Sequence, residues 1–175
     1  NLDAKLRLEM RGELKRLHSS TNSTFVYVTH DQLEAMTLAT RICLINKGVL
    51  QQYDKPLVVY SKPANLFVGD FVGNPSINFI KATAHTTEDE KVLKINFLDV
   101  KANYVSKEPI RLNGKDVILG IRPEFLQIRK EGAIKGLAYS TLPSGMETTV
   151  KINLHDETLS AVQFGLIDYQ VDSEI

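Results

Sequence analysis

The chain has 175 residues, 43 % of them hydrophobic, and no formal net charge, with 21 Lys and Arg against 21 Asp and Glu. That length suits one domain or two small ones, and balanced charge with no block of one sign argues against a polyanion-binding surface. No apolar run approaches the roughly 20 residues that span a bilayer, no signal peptide is visible, and one cysteine, Cys43, excludes a disulfide framework within the chain and fits a reducing compartment.

In chain order, Asp3 can cap a helix running to about His18. Leu6, Met10, Leu14 and Leu17 recur at helical spacing as one apolar stripe, and Lys5, Arg7, Arg11, Lys15 and Arg16 are expected on a solvated face. Residues 19–23 read as a loop. Thr24 to Val28 is β-branched and aromatic and reads as a short buried strand. Asp31 and Glu34 have capping-box spacing for a helix to about Thr40. Arg41 to Asn46 and Val49 to Tyr53 read as strands about a hairpin turn at Asn46-Lys47-Gly48, in which Gly supplies positive φ. Cys43, in the run Ile42-Cys43-Leu44-Ile45, is expected to be a buried small hydrophobe. Pro56 and Pro63 each open a short helical segment.

The texture then changes. From about Asn78, apolar and polar residues alternate in short runs such as 92–97, 117–121 and 149–154, separated by turn formers at Asn113-Gly114 and Pro143-Ser144-Gly145. A further strand is expected over Phe125 to Arg129, after a turn at Arg122 to Glu124. Many short strands at this spacing predict a small all-β domain. The boundary falls in Val72-Gly73-Asn74-Pro75-Ser76, too short for a free linker. The expected fold is therefore an α/β part over 1–73 followed by an all-β part over 74–175.

One stretch carries candidate chemistry. In Tyr27-Val28-Thr29-His30-Asp31-Gln32-Leu33-Glu34-Ala35-Met36-Thr37, a run of β-formers stops at a histidine and an acidic helix start follows. Ligands of open α/β sheets sit at the carboxyl ends of strands, which places His30 where a phosphate would lie. This stretch resembles the switch-histidine segment of ATP-binding-cassette (ABC) ATPases. Asn1-Leu2-Asp3-Ala4-Lys5-Leu6-Arg7 resembles the tail of that family's D-loop. Met36-Thr37-Leu38-Ala39, Pro63-Ala64-Asn65-Leu66-Phe67-Val68 and Asn78-Phe79 resemble its sugar-importer branch, typified by the maltose transporter ATPase, and Gly120-Ile121-Arg122-Pro123-Glu124 resembles a signature of that branch's regulatory domain. Thr40 stands where the family commonly has Asp.

The resemblance implies the C-terminal part of an ABC P-loop ATPase domain over 1–73 and an OB-like β-barrel regulatory and dimerisation domain over 74–175, incomplete at its C-terminus. His30 would contact the γ-phosphate, and Asp3 would sit at the nucleotide-dependent dimer interface. ATP and magnesium would be the cofactors of the intact parent. The partners would be a second ATPase subunit and transmembrane permease subunits, at the inner face of the cell membrane, with no nucleic acid and no direct membrane span. The sequence contains no Gly-x-x-x-x-Gly-Lys-Ser/Thr loop, whose backbone amides and lysine hold the phosphates. The family's Q-loop, Leu-Ser-Gly-Gly-Gln signature and Walker B carboxylates are absent too. The chain, opening on Asn1 rather than Met, is thus expected to be a fragment and inactive alone, binding neither cofactor. The alternative is a stand-alone β-barrel module that regulates a partner or binds a small oxyanion. Zero net charge, without basic residues interleaved with aromatics, argues against a nucleic-acid-binding barrel.

Overall fold

The structure is a computed structural model and describes residues 4–21, 23–98, 100–154 and 157–175. It divides into two compact units, Asn1–Asn74 and Pro75–Ile175.

In the first unit, helix α1 (Ala4–Thr21) runs past the expected stop at His18. The hydroxyls there close the last turn instead of opening a loop: Ser19 Oγ donates to the Lys15 carbonyl at 3.0 Å, and Ser20 Oγ and Thr21 Oγ1 donate to the Leu17 carbonyl at 3.0 and 2.9 Å. These are back-bonds to carbonyls three or four residues earlier in the helix, which occupy the hydroxyls locally while the helix continues. The expected apolar stripe is only partly covered. Leu6 and Leu17 are exposed, whereas Met10, Arg11, Leu14 and His18 are half-buried. The covered face is therefore rotated onto Arg11.

Helix α2 (Gln32–Leu38) leads to the antiparallel hairpin of β1 (Ile42–Asn46) and β2 (Val49–Asp54). Lys47 and Gly48 both take positive φ, 47° and 80°, the conformation of a two-residue turn matched to strand twist. One face of this hairpin is covered. Leu44 is buried, and its neighbours Cys43 and Ile45 therefore point to the other side and are exposed, which corrects the expectation of a buried Cys43. Helix α3 (Pro56–Ser61) starts on Pro56 as expected. Helix α4 (Leu66–Phe71) starts three residues beyond Pro63, because Asn65 is its cap and accepts from Val68 N at 3.0 Å. Leu44, Val59, Val68 and Val72 form the core, with Met36, Ile42, Tyr60 and Phe67 against it.

The second unit has two antiparallel sheets. Strands β3 (Asn78–Thr86), β4 (Val92–Phe97), β5 (Val100–Val105) and β6 (Lys115–Ile121) pair in the order β5-β4-β3-β6. Strands β7 (Leu137–Pro143), β8 (Glu147–Leu154) and β9 (Glu157–Phe164) pair in sequence order. Among the described residues, strand pairing leaves these sheets separate and open, not closed into a barrel. Period-two burial explains why they pack. Asn78, Ile80, Ala82 and Ala84 face inward on β3, and Thr148, Val150, Ile152 and Leu154 on β8. Ile80 joins Val150, Ile152, Leu154, Leu159 and Ala161 in one core.

Asn78 also ties the sheets by hydrogen bonds. Its Nδ2 donates to the Ser160 carbonyl at 2.8 Å and its Oδ1 accepts from Ser160 N at 2.7 Å. Buried Thr148 similarly fixes the chain after β9, donating to the Gly165 carbonyl at 2.7 Å and accepting from Ile167 N at 3.1 Å. The chain's last residues return to β7: Ile175 N donates to the Gly136 carbonyl at 2.9 Å and Gly136 N to the Ile175 carbonyl at 3.1 Å.

Arg122 leads into a 3₁₀ turn at Pro123–Phe125, as expected, but no strand follows over 125–129. The alternation there serves packing without a ladder, since Leu126 and Ile128 cover the core edge.

Two glycines make opposite predictions. A Cβ on Gly136 would lie 2.4 Å from Ile152 Cγ2 and 3.2 Å from the Asn153 carbonyl, whereas one on Gly12, inside α1, would meet nothing within 4 Å. Gly136→Ala is expected to destabilise the second unit by about 1–3 kcal/mol through overpacking. Gly12→Ala is expected to stabilise α1 by up to about 1 kcal/mol. Denaturant unfolding of both variants, followed by residue-resolved NMR, checks the two signs.

Candidate functional site

His30 sits at a bend between residues 23–29, which have no regular structure, and α2. The strand expected over Thr24 to Val28 is not formed. These five residues are exposed, Val26 at 90 % and Val28 at 92 %. Strand propensity reflects packing against neighbours, and among the described residues no strand pairs with this segment. Phe25 of this segment meets His18 edge-on, with ring centroids 5.4 Å apart.

What fixes His30 lies after it, not before. Asp31 is the N-cap of α2; its Oδ1 accepts from Leu33 N at 2.8 Å and Glu34 N at 3.2 Å. This is half of the expected capping box. The other half is replaced: Asp31 N donates to Thr29 Oγ1 at 2.9 Å, and Glu34 turns inward. Glu34 is only 8 % exposed. Its Oε2 accepts from Thr29 Oγ1 at 2.8 Å and from the Tyr27 hydroxyl at 3.2 Å. Arg11 of α1 stands opposite, its Nη2 3.1 Å from Asp31 Oδ2 and 3.6 Å from Glu34 Oε1. One guanidinium thus faces two carboxylates, and both neighbours of His30 in the chain belong to the network. The imidazole itself is exposed and makes no hydrogen bond among the described residues.

The electrostatics follow from these contacts. The Glu34 and Leu33 amides, helped by the Arg11 and Arg7 charges, hold the Asp31 carboxyl below the ordinary carboxylate range. Donation to the Glu34 carboxylate, the largest cause, pushes the Tyr27 hydroxyl up.

Asp3, the other sequence-predicted site residue, lies outside the described residues, as does His155. The sequence reading puts Arg11 on a solvated face and gives Glu34 only the second half of a capping box; the structure shelters both and brings them together. Arg11 passes for one of five helix cations, and its place beside Leu14 does not name the carboxylates it meets. Among the described residues no group of three or more His, Cys, Asp and Glu side chains can hold a metal ion. Around His30 the hydrogen-bonding groups are turned toward one another, so these residues alone do not fit a magnesium–nucleotide complex. No helix of the described residues is long and apolar enough to cross a membrane.

Comparison with known proteins gives this arrangement its setting. No protein-family model matches the chain. It is 39 % identical over 175 residues, its whole length, to an ABC transporter ATP-binding protein of Sinorhizobium fredii, covering 46 % of that protein. The chain is therefore a homologue of the ATP-binding proteins of ABC transporters. Sugar importers are among these relatives. It is 45 % identical over 165 residues to the sulfoquinovosyl glycerol transport ATP-binding protein of Agrobacterium fabrum, covering 92 % of this chain and 45 % of the relative. It is 41 % identical over 157 residues to the maltose/maltodextrin import ATP-binding protein of Photobacterium profundum, covering 88 % of this chain and 42 % of the relative. The chain spans about half the length of the curated relatives it matches.

The cap makes a prediction with a defined sign. Asp31 has a lowered pKa in the fold, so its contribution is complete above the unfolded value of about 3.9 and is lost as pH falls through the folded value. Asp31→Ala is expected to cost α2 about 1 kcal/mol at neutral pH. Asp31→Asn keeps a good cap and removes this acid-dependent loss. Amide exchange at Leu33 and Glu34 between pH 3 and 7, corrected for intrinsic rates, measures both effects.

Proposed function

We propose that the chain is the C-terminal part of the ATP-hydrolysing subunit of an ABC importer for sugars, and that His30 is its γ-phosphate contact. The observation that carries this reading is the presentation of His30: an exposed imidazole whose two chain neighbours, Thr29 and Asp31, are hydrogen-bonded into the start of α2. An imidazole can donate from one nitrogen while a neighbour fixes the other, and phosphoryl transfer depends mainly on positioning and charge stabilisation. In this reading Asp3 belongs to the dimer interface. Residues 1–73 end the ATPase domain, and 74–175 are an OB-like regulatory and dimerisation domain whose two open sheets are part of a larger β structure. ATP and magnesium are held by segments of the parent that this sequence lacks. A second ATPase subunit and transmembrane permeases are the partners, at the cytoplasmic face of the membrane. Homology to sulfoquinovosyl glycerol and maltose/maltodextrin import proteins supports a sugar or sugar derivative as the cargo class.

The test uses the full-length subunit. His30→Ala is expected to lower kcat about 100-fold or more, as loss of one transition-state hydrogen bond does, while ATP still binds. The 175-residue chain alone is expected to show no magnesium-dependent ATP turnover. Turnover by the isolated chain, or undiminished kcat in His30→Ala, overturns the proposal.

A further inference from the structure

We propose that Arg11 and Glu34 are positioning residues for His30, forming a clamp that makes α1 and the His30 bend one mechanical unit. The inference rests on the phosphate-contact reading of His30 and extends it to two residues to which that reading gives no part.

Three observations carry it. First, the network closes around the histidine. Thr29, the residue before His30, donates to Glu34 Oε2, and Asp31, the residue after it, is bound by Arg11. Second, the contacts span distant sequence: Arg11 lies 20 residues from Asp31. The histidine's backbone is thereby referred to α1 rather than to its flanking segment 23–28, which makes no ladder. Third, the charges are sheltered. The Arg11 side chain is 12 % exposed and that of Glu34 10 %, so screening by solvent is weak. Without Arg11, the sheltered Glu34 carboxylate and the Asp31 carboxylate both lose the cation they share. Glu34 must then turn toward solvent, and in turning it releases Thr29 and Tyr27 together. His30 keeps its place in sequence but loses its fixed direction.

The experiment separates positioning from simple stability. Arg11→Met keeps the length of the side chain without its charge; Glu34→Gln removes the opposite charge and serves where Arg11→Met does not fold. In the chain, either variant is expected to lower the NMR order parameter at Thr29 and His30 from about 0.85 to below about 0.6. Exchange of the Asp31 amide should quicken tenfold or more, with β8 and β9 amides unchanged. In the full-length subunit kcat should fall at least tenfold at unchanged KM for ATP, and Arg11→Lys should restore part of it. The double variant Arg11→Met/Glu34→Gln leaves no uncompensated charge between this pair, so its thermal midpoint should recover while kcat and His30 order stay low. Wild-type order and kcat in the single variants, or recovery of kcat with the midpoint in the double variant, overturns the clamp. Undiminished turnover in His30→Ala instead refutes the phosphate contact, and the order parameters then decide the clamp alone.

Discussion

Everything around His30 depends on satisfying one sheltered carboxylate. Glu34 is on the first turn of a seven-residue helix and is nearly buried. A charge in that position is costly without partners. The chain supplies them from three places: Thr29 and Tyr27 before the helix and Arg11 from α1. Each partner is thereby given a position. The same requirement accounts for the departure from a reciprocal capping box. A Glu34 carboxylate reaching back to Asp31 N would have left Arg11, Thr29 and Tyr27 without it, and Thr29 Oγ1 takes the Asp31 amide in its stead.

Side-chain amides do comparable work elsewhere. Gln32 donates to the Phe71 carbonyl and accepts from Gly73 N at 2.9 Å, joining α2 to the end of α4. Gln52 donates to the Lys62 carbonyl at 3.1 Å and accepts from Ala64 N at 2.9 Å, joining β2 to the approach to α4. Asn78 does the same with Ser160 between the two sheets of the second unit. In each case a side-chain amide stands in for a strand, offering one donor and one acceptor to backbone groups that have no ladder partner. Short elements with small cores can be joined this way at little cost in buried apolar area. The latch at Gln32 also bears on the site, because it anchors α2 two residues after His30.

The legible parts of the fold are those whose signal is local. The Lys47-Gly48 turn, the Pro56 helix start and the alternation of β8 are each decided within a few residues. The misread parts depend on a neighbour that sequence does not name. Cys43 looks like core because its run is apolar, yet the hairpin buries one face and Leu44 occupies it. Leu126 and Ile128 alternate like a strand while packing on the core edge without one. In the site, His30 and the Asp31 cap could be read from the order of residues, because a cap acts over three positions. Arg11 could not, because a cation 20 residues away acquires its role only when two helices meet.

The segment before His30 shows how far the site is independent of its flank. Phe25-Val26-Tyr27-Val28 has much the same strand-forming character as Thr149-Val150-Lys151-Ile152 of β8, yet only the latter is a strand. The difference is hydrogen bonding on both sides: β8 lies between β7 and β9. Propensity without a ladder leaves the first segment exposed, its apolar side chains in water. The cap of α2, the buried Glu34 and the Arg11 bridge nevertheless all stand in place. Hydrogen bonds and ion pairs from the α2 side therefore suffice to shape the bend at His30. A strand docked through 24–28 would add apolar burial to the bend rather than create it, which assigns the geometry of the histidine to the polar contacts of Asp31, Glu34 and Arg11.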